Sequence, residues 1–453
     1  KSKVGTGEKN LNTLFVAIVS FIVFCAAPAL AVPTRIGIGD AISKGMLNNL
    51  ELKAEAAKVT QAISDIGRVH GEFGPRIEGK AGLGPTTRAT GNALSSRMES
   101  NRWGAIFLGQ LEFTQPIFTW GRKTDYLRAA ELGVVVRRED VKLREIELRY
   151  QIKEAYYGSL YAGSLLDFIR EGKKDIDSVE EELGKKIGKE DRFRLDILRS
   201  QILAKEAEVE RAHKVALAGL GLRVGAKAGE EVAPLEDWIE VEDRKVEPLE
   251  HYLKVSRAEK PEYRQLEAGI VAKKSLANAE WKAFWPVLAV LARYDFAYTR
   301  AREDQQSIYA YDPFNQDNFV VGLGVKWDFQ WGLPAAKSSK FSAEAVELEA
   351  KQSYANEGFE LLVKKAWLEL KETEAKLKAA QDGAKAAKKW LAHALIGVSS
   401  GLGDVKKIVD AYQARAATLK DSYEAIFEHH LAWAKLSQVV GAEVDPLLLT
   451  KTK

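Results

Sequence analysis

His429 and His430 are adjacent, so on a helix they project to different sides and cannot clasp one metal ion as an i, i+4 pair would. They are expected on the surface. Glu180-Glu181-Glu182 supplies carboxylates, but a run of like charge reads as a solvated face rather than as an acid/base pair. Gly219-Leu220-Gly221 and Gly401-Leu402-Gly403 lack the strand, helix and acidic partner of a dinucleotide loop, and read as a turn and a hairpin tip. The single cysteine, Cys25, excludes a disulfide framework and a Cys-based zinc site. No nucleophile motif or phosphate loop appears. The sequence therefore offers no catalytic residues, no cofactor and no metal site, and enzyme activity is unsupported.

If the residues do no covalent chemistry, their placement must carry the function. The 453 residues are 46% hydrophobic and 29% charged, which excludes wholesale disorder. A formal net charge of +3 is far from the basic footprint of a nucleic-acid binder. Lys1, Lys3 and Lys9 precede an apolar run from Leu14 to Ala27, and Ala29-Leu30-Ala31 follows Pro28. This pattern reads as an export signal over 1–31, cut after Ala31. No later stretch reaches the roughly 20 apolar residues of a spanning helix.

The chain repeats itself at an offset of 211 residues. Phe73-Gly74-Pro75 is echoed by Phe284-Trp285-Pro286, and Phe118-Thr119-Trp120-Gly121 by Phe329-Gln330-Trp331-Gly332. Ile152-Lys153-Glu154-Ala155-Tyr156 is echoed by Val363-Lys364-Lys365-Ala366-Trp367. The division implied is a first unit over 32–224, a connector over 225–254, a second unit over 255–443 and a tail over 444–453. Each unit reads as one helix (about 43–70 and 255–283), two strands, a very long helix (about 121–188 and 335–397), a turn and a further helix (about 192–219 and 404–440). Apolar residues recur every seventh position from Leu127 to Leu183 and from Val363 to Val398. That repeat predicts helices supercoiled against neighbours, and the first would be roughly 100 Å long.

The strand-like runs alternate with period two. Phe107, Leu111 and Phe113 share one side of the 103–113 run, while Gln110 and Glu112 share the other. Tyr294 and Phe296 behave likewise against Arg293 and Asp295, as do Val321, Leu323 and Trp327 against Gly322, Gly324, Lys326 and Asp328. Strands near ten residues, aromatics gathered at the run ends and an export signal point to lipid on the apolar side. Four strands cannot close a membrane barrel, and open edges in lipid leave backbone groups unsatisfied, so several chains must combine.

With these features in place, the chain resembles the TolC-type outer-membrane efflux proteins. The resemblance rests on Asn49-Leu50-Glu51-Leu52 and Lys260-Pro261-Glu262-Tyr263, on Phe-x-Pro before the first strand of each half, and on Gln115-Pro116-Ile117-Phe118-Thr119-Trp120-Gly121-Arg122. It implies a mainly α, mixed α and β fold. Long antiparallel coiled-coil helices would build a trimeric α-barrel tunnel, and four strands per protomer would build a transmembrane β-barrel. It further implies a homotrimer in the bacterial outer membrane with a periplasmic helical portion, working as exit duct for an inner-membrane transporter and a periplasmic adaptor (membrane fusion protein). Cargo would be small molecules or proteins. Arg192, Asp196, Asp404 and Asp410 are the implied gate residues at the helix tips. Pro116, Gly121, Gly332 and Pro334 are the expected strand–helix turns. A stand-alone porin, or a periplasm-spanning coiled-coil scaffold without a pump, is the alternative reading.

Overall fold

The computed structural model describes residues 33–91, 95–183, 188–227, 229–242, 244–305, 309, 311–399, 405–446 and 448. The expected export signal, 1–31, lies outside the described residues. In chain order the elements are β1 (Thr34–Ile36), α1 (Ile38–Asn48), α2 (Leu50–Glu72), β2 (Arg76–Gly91), β3 (Ser96–Phe118), α3 (Arg122–Leu183), α4 (Lys189–Arg223) and β4 (Val232–Pro234). Then follow α5 (Leu249–Glu259), α6 (Pro261–Trp281), β5 (Val287–Thr299), β6 (Gln316–Lys326), α7 (Leu333–Ser399) and α8 (Val405–Val440). Mainly helical architecture with a small sheet is what the periodicities predict. Among the described residues no helix is long and apolar enough to cross a membrane.

One expectation is corrected in both halves: the first helix is two helices. The apolar spacing runs through the break, so it carries no sign of it. Local chemistry does. The Asn49 side chain accepts the backbone N–H groups of Glu51 and Leu52, which caps α2. Pro261 occupies the first turn of α6, where its missing N–H costs nothing, and it ends α5 at Lys260. Each break is held by the end of another helix. Gly225, after α4, has φ 68° and sits so close to the first break that a Cβ there would lie 2.7 Å from Asn48 Cβ. Gly441, after α8, has φ 86°, and a Cβ there would lie 2.8 Å from Lys260 Cα. Lys260 in turn donates from Nζ to the Val439 carbonyl at 2.9 Å, satisfying the end of α8.

The strands are longer than the alternation indicates, with 16 residues in β2 and 23 in β3. The Gly-rich stretch 79–84 belongs to β2. The four pair antiparallel in the order β2-β3-β5-β6, so the two hairpins join through β3 and β5. β1 and β4 form a separate parallel pair that ties the connector to the start of the described chain.

At 62 residues, α3 is roughly 90 Å long and spans two sets of neighbours. Its first part packs on α2 and α6, and its later part on α4 and α8. The seven-residue seam faces inward: Val134, Leu148, Ala162 and Ile176 are buried on α3, as are Val363, Leu370, Leu377 and Leu391 on α7. The largest core lies where α3 exchanges neighbours, and joins Leu148, Ile152 and Tyr156 to Ile38, Leu220, Val232 and Ile426.

Candidate functional site: sheet faces, strand–helix turns and helix tips

The register sorts the sheet's side chains into two unlike faces. Rows running across the strands on one side read Gly79–Leu111–Tyr294–Phe319 and Ile77–Phe113–Ala292–Val321. Phe107 lies opposite Tyr298, Phe296 opposite Gly109, and Leu323 opposite Val290 on that same side. Rows on the other side read Glu78–Glu112–Arg293–Val320 and Lys80–Gln110–Asp295–Asn318. There Arg293 pairs with Asp295 at 2.7 Å, and Glu78 pairs with Lys80 at 3.2 Å. Because side chains alternate strictly along a strand, this segregation follows from the pairing itself.

The apolar side is open in the single chain. Phe107 is 49% exposed, Leu111 52%, Val321 62% and Leu323 72%. Phe113 and Tyr294 are half-buried. Exposure on this scale far exceeds the scattered apolar residues of an ordinary soluble surface. Trp327 does not belong to the strand as expected: β6 ends at Lys326, and the indole donates to the Phe284 carbonyl at 3.0 Å. Its polar N–H is therefore used in pinning the strand end to the turn that precedes β5.

The strand–helix turns are aromatic. Pro116 is a second correction, for it lies within β3 opposite Ala289 rather than in the turn. A register irregularity follows between Pro116 and Phe118, where the absent N–H breaks the ladder. The turn proper is Trp120-Gly121, with φ 57° and 79°. Trp120 is the only described non-glycine residue with positive φ. Its indole donates to the Pro286 carbonyl at 2.7 Å, and its ring lies 5.3 Å from that of Trp285 and 4.9 Å from that of Phe118. At the second turn Gly332 has φ 73°, and Pro334 occupies the first turn of α7, where no helical N–H is lost. Phe329 stands edge-on between Trp327 and Trp331, at 5.8 and 5.0 Å.

At the other end of the helices, Arg192 and Asp196 are exposed on the first turns of α4, and Asp410 is exposed on α8. Asp404 lies outside the described residues. The apolar side of these turns, Leu198 and Ile408, packs with Ile176 and Leu391, so the acidic and basic side chains are turned away from the tip core. Nearby, Arg194 pairs with Glu190 and Asp191 within α4, and Arg199 with Asp177 and Glu180 on α3.

A buried ionic cluster escaped the sequence reading altogether. Lys153 on α3, 1% exposed, donates to both oxygens of Glu443. Arg244 from the connector pairs with Asp445 at 3.0 Å and lies 2.9 Å from His430 Nδ1. His430 also contacts the Glu240 carbonyl at 2.9 Å through Nε2 and stacks on Tyr157 at 4.0 Å. His429 faces Thr373 of α7 at 3.3 Å. Both histidines are buried, against the surface position expected for them. Adjacency does send them to different sides of α8, but connector and α7 cover both sides. Burial, reinforced by the Arg244 charge, pushes His430 down to about 3 and His429 to about 4, so both stay neutral at physiological pH. For Glu443, burial works against ionisation, but the Lys153 ammonium and the donors around it prevail and hold the carboxyl below its usual range.

Residues 41–180 match the family model for outer membrane efflux protein. No curated protein matches the sequence. The Campylobacter jejuni CmeC outer membrane channel superposes with a TM-score of 0.72 at 13% identity, covering 90% of this chain and 86% of CmeC. The CusC channel gives 0.71 at 14% identity, covering 92% and 97%. The Neisseria gonorrhoeae MtrE outer membrane channel in its open state gives 0.70 at 14% identity, covering 90% and 89%. The chain thus has the fold of the outer-membrane channels, and over residues 41–180 it carries the sequence pattern of an outer membrane efflux protein.

Proposed function

We propose that three copies of this chain form an outer-membrane exit duct. Each copy would give four strands to a 12-stranded barrel and its long helices to a tunnel through the periplasm. One observation carries the reading: among the described residues β2 and β6 have no strand partner on their outer edges, while the sheet joining them exposes a continuous apolar face. In lipid an open edge costs several kcal/mol for each unsatisfied backbone group, so the sheet is stable there only when copies close it. The apolar rows would then meet lipid, the Glu78–Glu112–Arg293 rows would line the lumen, and the tryptophans of the turns would mark the interface.

The repeated order of elements, with the matching glycine-locked breaks at Asn49 and Lys260, supports two copies of one unit, 32–224 and 255–443, around a connector at 225–254. Energy for transport would come from an inner-membrane transporter reached through a periplasmic adaptor. Arg192, Asp196, Asp404 and Asp410 would line the periplasmic mouth, whose opening requires the tips to splay. Disulfides engineered between neighbouring tips test the gate, and export that continues unchanged with the tips locked contradicts it. Cell fractionation with chemical cross-linking tests the duct. The expected product is an outer-membrane species about three times the 50.2 kDa of the chain. A monomer in the soluble fraction would contradict it.

A further inference from the structure

Where α3 passes between α4 and α8, the three helices enclose an elongated apolar cleft of about 830 Å³. Its floor is made of small residues of α3, among them Ala155, Gly158 and Ala162. Its walls are Ala212 and Ala216 of α4 and Ala416 of α8. Aromatic rings stand along it: Tyr161 and Phe427 are near-parallel with centroids 5.5 Å apart, and Phe168 lies below them beneath the Arg415 guanidinium. Lys205, Lys420, Glu154 and Glu208 lie at its margins, so charge of both signs borders an apolar interior.

Two features decide what fits. The cleft narrows into a second space of about 260 Å³ that shares Phe168, Ile169, Lys205 and Ala416 with it. Below that, Ile176, Leu198 and Ile408 pack together and shut it. A cleft closed at one end suits a compact molecule, whereas a helix from another chain needs a continuous groove some 10 Å wide. Its volume is within the roughly 300–1,000 Å³ typical of small-molecule sites. The cleft also opens on the side of α3 opposite the one covered by β1 and β4: Gly163, Leu166 and Asp167 face those strands, and Gly158, Tyr161 and Leu165 face the cleft. If the connector strands sit outside the helical wall, as an unobstructed duct requires, the cleft faces the lumen.

We infer that this cleft is a holding site for small, neutral or amphipathic aromatic cargo on its way through the duct. The inference rests on the duct reading. Ring faces and methyl groups would supply contact, and a cargo's polar tip would stay at the charged margin.

The test uses the full chain with Cys25 replaced by serine, isolated as the trimer in lipid nanodiscs. Ala416→Cys, and separately Ala216→Cys on the facing wall, would be alkylated with a water-soluble maleimide. An 11-heavy-atom neutral aromatic such as 2-naphthol binds such a site at about millimolar Kd, so a few millimolar should slow alkylation about five-fold. Ser178→Cys, on an exposed position of α3, should be unaffected. Trimers in which both wall cysteines react but 2-naphthol gives no protection overturn the inference and leave the duct intact. Wall cysteines that react in the monomer and are silent in the trimer show that a second copy covers the cleft, which also overturns it. Failure to obtain trimers at all counts against the duct reading instead.

Discussion

Lys153 Nζ lies 2.9 and 2.8 Å from the two carboxylate oxygens of Glu443, 290 residues further along the chain. This contact, with Arg244–Asp445 beside it, fastens the connector and the last described segment to α3 and α8. Breaking such a pair on one side leaves a buried charge without a partner, which costs about 3–5 kcal/mol, whereas replacing both partners with apolar residues of similar volume is often neutral. Asp445→Asn should therefore destabilise the protein strongly in denaturant titrations. The double variant Arg244→Met with Asp445→Leu should recover most of the loss. Equal instability of single and double variants would mean that the site matters for its shape and not for its charges.

The histidines give a pH dependence with a definite sign. His430 is held near 3 in the fold and returns to about 6.5 on unfolding, so between those values the unfolded chain binds the extra proton. Stability is fully present above about pH 6.5 and falls as the pH is lowered towards 3. At pH 5 the loss from His430 is about 2 kcal/mol. Glu443, with its carboxyl held low, adds a loss of the same sign at more acid pH. Thermal melts at pH 7.5 and 5.0 check this; His429, held near 4, adds a loss of similar size, so His430→Gln should remove about half of the difference.

The two locking glycines predict a graded series. Gly229 also has positive φ, but a Cβ there meets nothing within 4 Å, so Gly229→Ala should cost only the left-handed backbone term of about 1–2 kcal/mol. Gly225→Ala and Gly441→Ala add a steric collision with Asn48 and Lys260 and should cost clearly more. Protease sensitivity at the α1–α2 and α5–α6 breaks would report this locally.

Much of this architecture was legible, and the failures have physical causes. The order of helices and strands follows from their different periods, and the heptad seam correctly marks Leu148, Ile176 and Leu370 as buried. The helix breaks were missed because an amphipathic stripe continues across them, although Asn49 and Pro261 carry the stop signals. Trp327 and Pro116 were misplaced by one or a few residues because alternation does not show where pairing ends. The ionic cluster was illegible for a deeper reason: its members are spread over Lys153, Arg244, His430 and Asp445, and nothing local distinguishes a charge that will be covered from one that will be solvated. The apolar side of the sheet was readable in alternation, but which residues stand abreast required the register.

The faces of the sheet can be tested against each other. Leu323→Arg places a cation on the apolar side and should cost about 2–4 kcal/mol near the membrane midplane, lowering the yield of inserted protein. Val320→Arg, three residues from it along β6 on the side of Arg293 and Glu112, should be tolerated. Heat-modifiability of outer-membrane fractions would separate the two outcomes.

Closure of the sheet between copies can be read from a disulfide scan across the open edges of β2 and β6. With Cys25 removed, single cysteines on β2 between 77 and 83 would be combined with single cysteines on β6 between 319 and 325, and oxidised in the outer membrane. Some pairs should give two-chain and three-chain species and nothing larger, because the third link closes the ring. Monomers throughout, or a ladder that continues past three chains, would contradict it.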